Sequence, residues 1–458
     1  MTTHCINVFK GLRYSTGGEA SFCCKSEMLL DDKDGNKCRI YTHDFNEPLN
    51  GKLATEIRTD LENGIKHANC KQCWDEESAG IPSKRILDNK NWGPKYLNDK
   101  TVEPAIVELN LGTLCNLKCR ICGPWCSSRW VEEFFTIKTQ GNDPGPDAKE
   151  KYMLMVKDWQ GNYEDDSPAW EHIEKSLPYL KQIDMYGGEP FLVENQWKML
   201  KRSIELGYSK DQILHFNTNA TQFNPSHIEL LKQFKKVLIS LSIDGIGKRF
   251  EYQRHPAKWS LVENNIRKFL SLQNNNNNIH VSACLTVSTL NVYYLEETLK
   301  HFAHIGLGYS INILHRPPHY NIKNIPKEIK QKITEHYTPI LEGITDSYMR
   351  ERIQHVLDFM NTNESDGRSW NEFFVNTKLK DSYRKENFKE TLSFPIKIIN
   401  LKNKGKELLD KINITNCELI EINNSELNDQ LIDEIILENK KILIITIKSR
   451  IVIIRELE

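Results

Sequence analysis

Three cysteines within eight residues, Cys115-Asn-Leu-Lys-Cys119-Arg-Ile-Cys122, constrain this chain more than any other feature. Thiolates are soft donors that suit iron–sulfur clusters, zinc or copper(I). A closed structural zinc site takes four protein ligands, often as two Cys-x-x-Cys pairs. Here the spacing supplies three and leaves one corner open, and an incomplete ligand set is a reactive one. Standing alone, the motif would also fit a zinc loop or a chance cluster of buried thiols.

The flanking sequence adds context. Ala105-Ile-Val-Glu-Leu-Asn110 reads as a strand, and Leu111 to Leu114 as the loop that carries the cysteines from its C-terminal end. Gln182 to Tyr186 reads as a second strand that runs into Gly187-Gly188-Glu189-Pro190. Two glycines there let backbone pass close to a ligand, and the carboxylate is an acceptor for a cation. Further strands are expected at 212–217, 236–242, 279–287 and 309–313, which makes six. Amphipathic helical patterns lie between them at 193–205, 226–234, 258–272 and 293–304. Apolar strands that alternate with such helices predict βα units and a parallel sheet. In barrels of this type, function gathers at the C-terminal ends of the strands. The cysteines, the GGEP segment, Thr218-Asn219 and Ser242 to Gly245 all fall there.

C-x3-C-x2-C followed by GGEP resembles the radical S-adenosylmethionine (SAM) superfamily. The resemblance implies an α/β fold with a partial (βα)6 barrel at about 100–320. It implies that Cys115, Cys119 and Cys122 hold a [4Fe-4S] cluster whose open iron is chelated by SAM. Gly187, Gly188 and Glu189 would bind the methionine ammonium, Thr218 and Ser242 the ribose and carboxylate, and the Ile121 backbone the adenine. Position 121 is commonly aromatic in that family and is Ile here. The implied activity is reductive cleavage of SAM and abstraction of hydrogen from a substrate carbon by the resulting 5'-deoxyadenosyl radical. This is oxidoreductase chemistry supplied by cofactors that the protein must orient.

The chain has twelve cysteines, ten of them in the first 126 residues. Met1 to Gly11 is neither long nor apolar enough for a signal peptide, so a reducing cytoplasm is expected and metal is favoured over disulfides. Cys5, Gly18, Cys23 and Cys70-Lys-Gln-Cys73, with the helical run Glu56 to Gly64 before the pair, look like the auxiliary-cluster motif of SPASM and twitch domains. Residues 74–96 lack the further cysteines of a full SPASM domain. The single-cluster twitch form is therefore implied, with Cys5, Cys23, Cys70 and Cys73 holding a second [4Fe-4S] cluster. Cys24 competes with Cys23, and four cysteines suit structural zinc equally. In relatives this domain follows the barrel; here, at 1–95, it precedes it. Cys126 reads as a neighbour of the triad, and Cys38, Cys284 and Cys417 as small buried residues.

Charge excludes some partners. With 61 Lys and Arg against 62 Asp and Glu, the net charge of −1 leaves no electrostatic footprint for nucleic acid. No window approaches a membrane span; the apolar run 442–454 is short and broken by Lys448, Ser449 and Arg450, and its alternation suggests a terminal hairpin. A polar insertion is expected at 141–167, and a helical extension at 321–385. The segment 386–458 is expected to be α+β and carries no recognised motif. His315, His319 and Tyr320 follow the last barrel strand, where they either face substrate or belong to a proline-fixed connection. The resemblance implies a peptide or protein substrate, with a small sugar-like alcohol, aminosugar or polyol as the second candidate. It also implies an electron donor such as flavodoxin or ferredoxin. A non-catalytic metal-binding scaffold that keeps the fold is the alternative from another class.

Overall fold

A computed structural model describes residues 3–392 apart from 79, 81, 97–98, 140–143 and 363–366, and beyond 392 it describes five strands alone. Its centre is a mixed α/β sheet of eight strands in the order β2-β1-β3-β4-β5-β6-β7-β8. The strands are β1 (Gly11–Tyr14), β2 (Ala20–Ser21), β3 (Ile106–Asn110), β4 (Gln182–Tyr186), β5 (Ile213–Thr218), β6 (Lys236–Ser242), β7 (Ile279–Val287) and β8 (Gly308–Ile313). From β3 onward each neighbour in the sheet is also the next strand in sequence, and the pairings from β3 to β7 are parallel. That order is the one expected of consecutive βα units, and the result is an α/β partial barrel.

The six strands expected from sequence are β3 to β8. Parallel strands covered on both sides read as near-continuous apolar runs, and every residue of β3 is buried. The connecting helices Glu194–Glu205, Pro225–Leu231, Trp259–Asn275 and Leu295–His304 fall where the periodicity placed them. On the Trp259–Asn275 helix, Val262, Ile266 and Phe269 recur at the i, i+4, i+7 spacing and are fully buried.

One finding differs from the expected domain plan. Residues 1–95 do not form a compact unit of their own: residues 1–286 and 297–312 make one unit, and 287–296 with 313–458 make another. The physical reason is a strand. β1 pairs in parallel with β3, Gly11 opposite Ile106 and Tyr14 opposite Leu109, so the N-terminal segment extends the barrel sheet at its edge. β2 then folds back antiparallel on β1. Helices Lys52–Glu62, Lys71–Ser78 and Lys84–Tyr96 follow, the first of them over the run expected to be helical.

The second unit contains helices Lys327–Gly343, Ser347–Met360 and Arg368–Arg384, as the helical extension predicted. Tyr320 there is fully buried and its hydroxyl accepts from Lys380 Nζ at 2.9 Å, so it presents no free group to a substrate. Farther on, Lys440–Ile447 and Ile451–Leu457 pair antiparallel with Ile447 opposite Ile451, which is the expected terminal hairpin. Cys417 lies outside the described residues.

Candidate active site

At the C-terminal ends of the strands lies a pocket of about 540 Å³. The loop after β3 brings Cys115, Cys119 and Cys122 to its wall, and the loop after β4 brings Gly187, Gly188 and Glu189. Ser242 joins from the end of β6. Those seven residues, chosen from sequence, thus meet in one place. Thr218 and Ile121 are not among the lining residues; Asn217 and Asn219, on either side of Thr218, are.

The cysteine loop is fixed by its backbone. Lys118 N–H donates to His255 O at 2.7 Å and Arg120 N–H to Gln253 O at 2.8 Å, which stitches the loop to the segment after β6. Trp130, fully buried, donates its indole N–H to Cys119 O at 3.0 Å. The Arg120 side chain is also fully buried, stacked 3.5 Å over the Tyr252 ring. A triad held this way is preorganised before any ligand arrives.

Two glycines let the β4 loop approach. Gly188 has φ of +49°, and a Cβ there would lie 2.1 Å from Leu114 O. Gly187, at φ +78°, would press a Cβ against Asn110. Only glycine meets both demands, positive φ and no side chain. Glu189 N–H then donates to Leu114 O at 2.7 Å, so the two loops are joined.

Glu189 is 1 % exposed and densely bonded. Its Oε1 accepts from Thr218 Oγ1 at 2.6 Å and from Phe191 N–H at 3.1 Å, and its Oε2 from Asn219 N–H at 2.7 Å. Burial nevertheless raises its pKa, with those three donors pulling the other way. Thr218 therefore serves by orienting Glu189 from beneath the pocket floor.

Several groups at the site carry no motif. Arg254, which lines the pocket, is paired with buried Asp244 (Nη2 to Oδ2 2.7 Å) and donates from Nη1 to Cys119 Sγ at 3.9 Å. Burial lowers the Arg254 pKa, but Asp244 and the thiolates of Cys119 and Cys122 outweigh it and the net shift is upward. A guanidinium beside the triad is the charge that thiolates need. Arg13 enters from β1, Asp158 and Trp159 from the helix Pro146–Gln160, and Trp125 from the cysteine loop itself. Trp125 packs edge-on against Trp159 with ring centroids 6.0 Å apart. Cys126 also lines the pocket. In sequence nothing marked Arg254, which stands just past the helix Gly247–Gln253 that follows β6.

The thiols themselves are pushed toward the neutral form. Burial raises Cys115 to about 12 and Cys126 to about 11. Cys122 is raised first by its hydrogen bond with Cys119 and then by burial.

The second cysteine group lies elsewhere in the same unit. Cys5, Cys23, Cys70 and Cys73 line no part of the pocket. They are electrostatically linked: Cys5 feels Cys70 and Cys73, and Cys23 feels Cys5. Cys24 is raised first by burial and then by Glu108, with Lys84 pulling the other way. Among the described residues, no three His, Cys, Asp or Glu side chains converge as the ligands of a single metal ion.

Fold and site together define an α/β partial barrel with a three-cysteine loop and a glycine–glutamate loop at its C-terminal rim. No protein-family model matches the sequence, and no curated protein matches it. Solved structures that share features with it include the AdoMet-bound native anSMEcpe, at 17 % identity and TM-score 0.36, covering 57 % of this chain and 61 % of that one. Streptococcus suis SuiB bound to S-adenosylmethionine matches at 13 % identity and TM-score 0.32, covering 73 % and 69 %. SuiB bound to precursor peptide SuiA matches at 12 % and 0.32, with the same coverage. The chain thus spans less than two thirds of anSMEcpe.

Proposed function

We propose that this chain is a radical SAM enzyme. The observation that carries the reading is the meeting, at one strand-end pocket, of three loop cysteines with two positive-φ glycines and a fully hydrogen-bonded glutamate. The residues fit the group. Asn217 Oδ1 is buried at the pocket wall without a hydrogen-bond partner, as an acceptor awaiting a ligand's donor would be.

Cys115, Cys119 and Cys122 would hold a [4Fe-4S] cluster, with SAM at its open iron. Bound there, that pair supplies one-electron cleavage of SAM and a radical able to take hydrogen from carbon. The chain's own contributions are positional. Gly187 and Gly188 leave backbone exposed to the ligand, and Glu189, locked by Thr218 and Asn219, presents a fixed acceptor. Arg254 balances the negative charge of the thiolates. Trp125 and Trp159 supply an aromatic wall to the pocket.

The substrate we propose is a peptide or protein; SuiB has been solved bound to its precursor peptide SuiA. A small sugar-like alcohol, aminosugar or polyol is the second candidate. We assign Cys5, Cys23, Cys70 and Cys73 to an auxiliary [4Fe-4S] cluster, and electrons to a flavodoxin- or ferredoxin-type donor. The test is anaerobic reconstitution with iron and sulfide, then strong reductant and SAM. Formation of 5'-deoxyadenosine, lost in C115A, C119A and C122A, is expected. Reconstituted protein that cleaves no SAM would sink the reading.

A further inference from the structure

The barrel interior beneath the pocket is charged where apolar layers are expected. Register sets Arg13 opposite Glu108, Glu108 opposite Asp184, and Asp184 opposite His215, one ionisable residue on each of four adjacent strands. Lys84 Nζ lies 3.1 Å from Glu108 Oε1 and 3.1 Å from Asp88 Oδ2. Buried charge is costly, and such a row persists only where its members satisfy one another or serve a purpose.

Arg13 at one end of the row lines the pocket, and the other end meets it through Tyr186. Tyr186, which lines it, stands one strand layer above Asp184. The Tyr186 Oη lies 3.2 Å from His215 Nδ1 and donates to Asp184 Oδ2 at 3.4 Å, so its single proton has two acceptors. His215 Nε2 lies 2.9 Å from Ser240 Oγ, and His215 Nδ1 lies 3.7 Å from Asp184 Oδ1. Asp184 also accepts from Gln182 Nε2 at 2.7 Å.

We propose that Tyr186, His215 and Asp184 form a proton-accepting relay that opens on the pocket and takes a proton from a substrate hydroxyl, thiol or amine beside the reacting carbon. This rests on the radical SAM reading and deepens it. The relay requires the tautomer of His215 with its proton on Nε2, donated to Ser240 Oγ, and Nδ1 accepting from Tyr186. The substrate X–H bond breaks as its proton joins Tyr186 Oη, and the phenolic proton passes to His215 Nδ1. Tyr186 ends unchanged, His215 ends as imidazolium, and the carboxylate of Asp184 balances the new charge. Only a proton moves; no electron passes through the relay, and it resets by returning the proton to water. The charged groups facing His215 are Asp184 and Tyr186 from β4, with Glu108, Lys84 and Arg13 beyond them along the row.

The test is nitrogen-15 NMR of the full-length protein labelled at histidine, which needs neither cluster nor substrate. His215 is expected as the Nε2–H tautomer at neutral pH, and Tyr186→Phe should remove the hydrogen bond at Nδ1. Asp184→Asn should lower the proton affinity of His215 tenfold or more. A resting Nδ1–H tautomer, a His215 already cationic at neutral pH, or a titration indifferent to Asp184→Asn would overturn the relay. Should Asp184→Asn fail to fold, the wild-type tautomer decides. Cleavage of SAM by reconstituted wild type, measured in parallel, reports on the radical SAM reading alone.

Discussion

At the barrel rim the guanidinium of Arg254 sits 3.9 Å from Cys119, whereas Cys5 and Cys23 feel the carboxylates of Asp88 and Glu108. Lys84 offsets Glu108 only in part: burial and the carboxylate still raise Cys23. One group thus has a resident cation and a cavity beside it. The other has mixed charge, and its members line no part of that pocket. The contrast teaches that two sets of thiols in one chain need different help to ionise. On the proposed reading, a metal at the rim would be shared with a ligand, whereas at the N-terminal set the metal itself would supply the compensating charge, as in closed structural or electron-transfer sites.

The sharpest way to break this comparison is to count metal. With both groups loaded as four-iron clusters, reconstituted protein should hold about eight irons per chain. Replacing Cys115, Cys119 and Cys122 by Ala should leave about four and abolish deoxyadenosine formation. Replacing Cys70 and Cys73 should likewise leave about four, now at the rim. Zinc retained with about four irons in the wild type would make the N-terminal set structural and end the symmetry between the groups.

A smaller effect tests the cation. Arg254→Met removes the cation paired with buried Asp244, which keeps the Thr286 N–H, and should cost about 3–5 kcal/mol in urea unfolding. Cluster occupancy at the rim should fall with it, and that at the N-terminal group should not. Smaller still, Thr218→Val removes a buried donor from Glu189 and should cost about 1.5–3 kcal/mol. It should also weaken SAM binding, measured by equilibrium dialysis on reconstituted protein, since Glu189 loses one of three donors.

Much of this was legible in sequence because it is local. The six strands β3 to β8 are short apolar runs bounded by turns, and the cysteine and GGEP segments follow two of them directly. Burial of β3 on both faces, for instance, is written in Ile106-Val107 and Leu109. What was not legible depends on register. Tyr186 and His215 are ordinary strand residues until pairing puts Asp184 opposite His215. Arg254 gained its meaning from a loop more than a hundred residues earlier. Thr218 and Asn219 were marked together, and only geometry shows that the threonine holds Glu189 while its neighbours face the pocket. The four residues Gly-Leu-Arg-Tyr of β1 are too few to show a period, so the sequence alone set 1–95 apart.

That short strand has a consequence for how the molecule is made. Gly11 emerges from the ribosome long before Ile106, so β1 must wait for its partner while the chain between them is synthesised. Once β3 emerges, β1 is already made and can cover its edge at once; without β1, that uncovered parallel edge would be a template for other chains. The N-terminal segment therefore acts as a built-in guard on the barrel. Cells that make the protein without residues 1–21 should accumulate it as insoluble aggregate, whatever the fate of either group of cysteines.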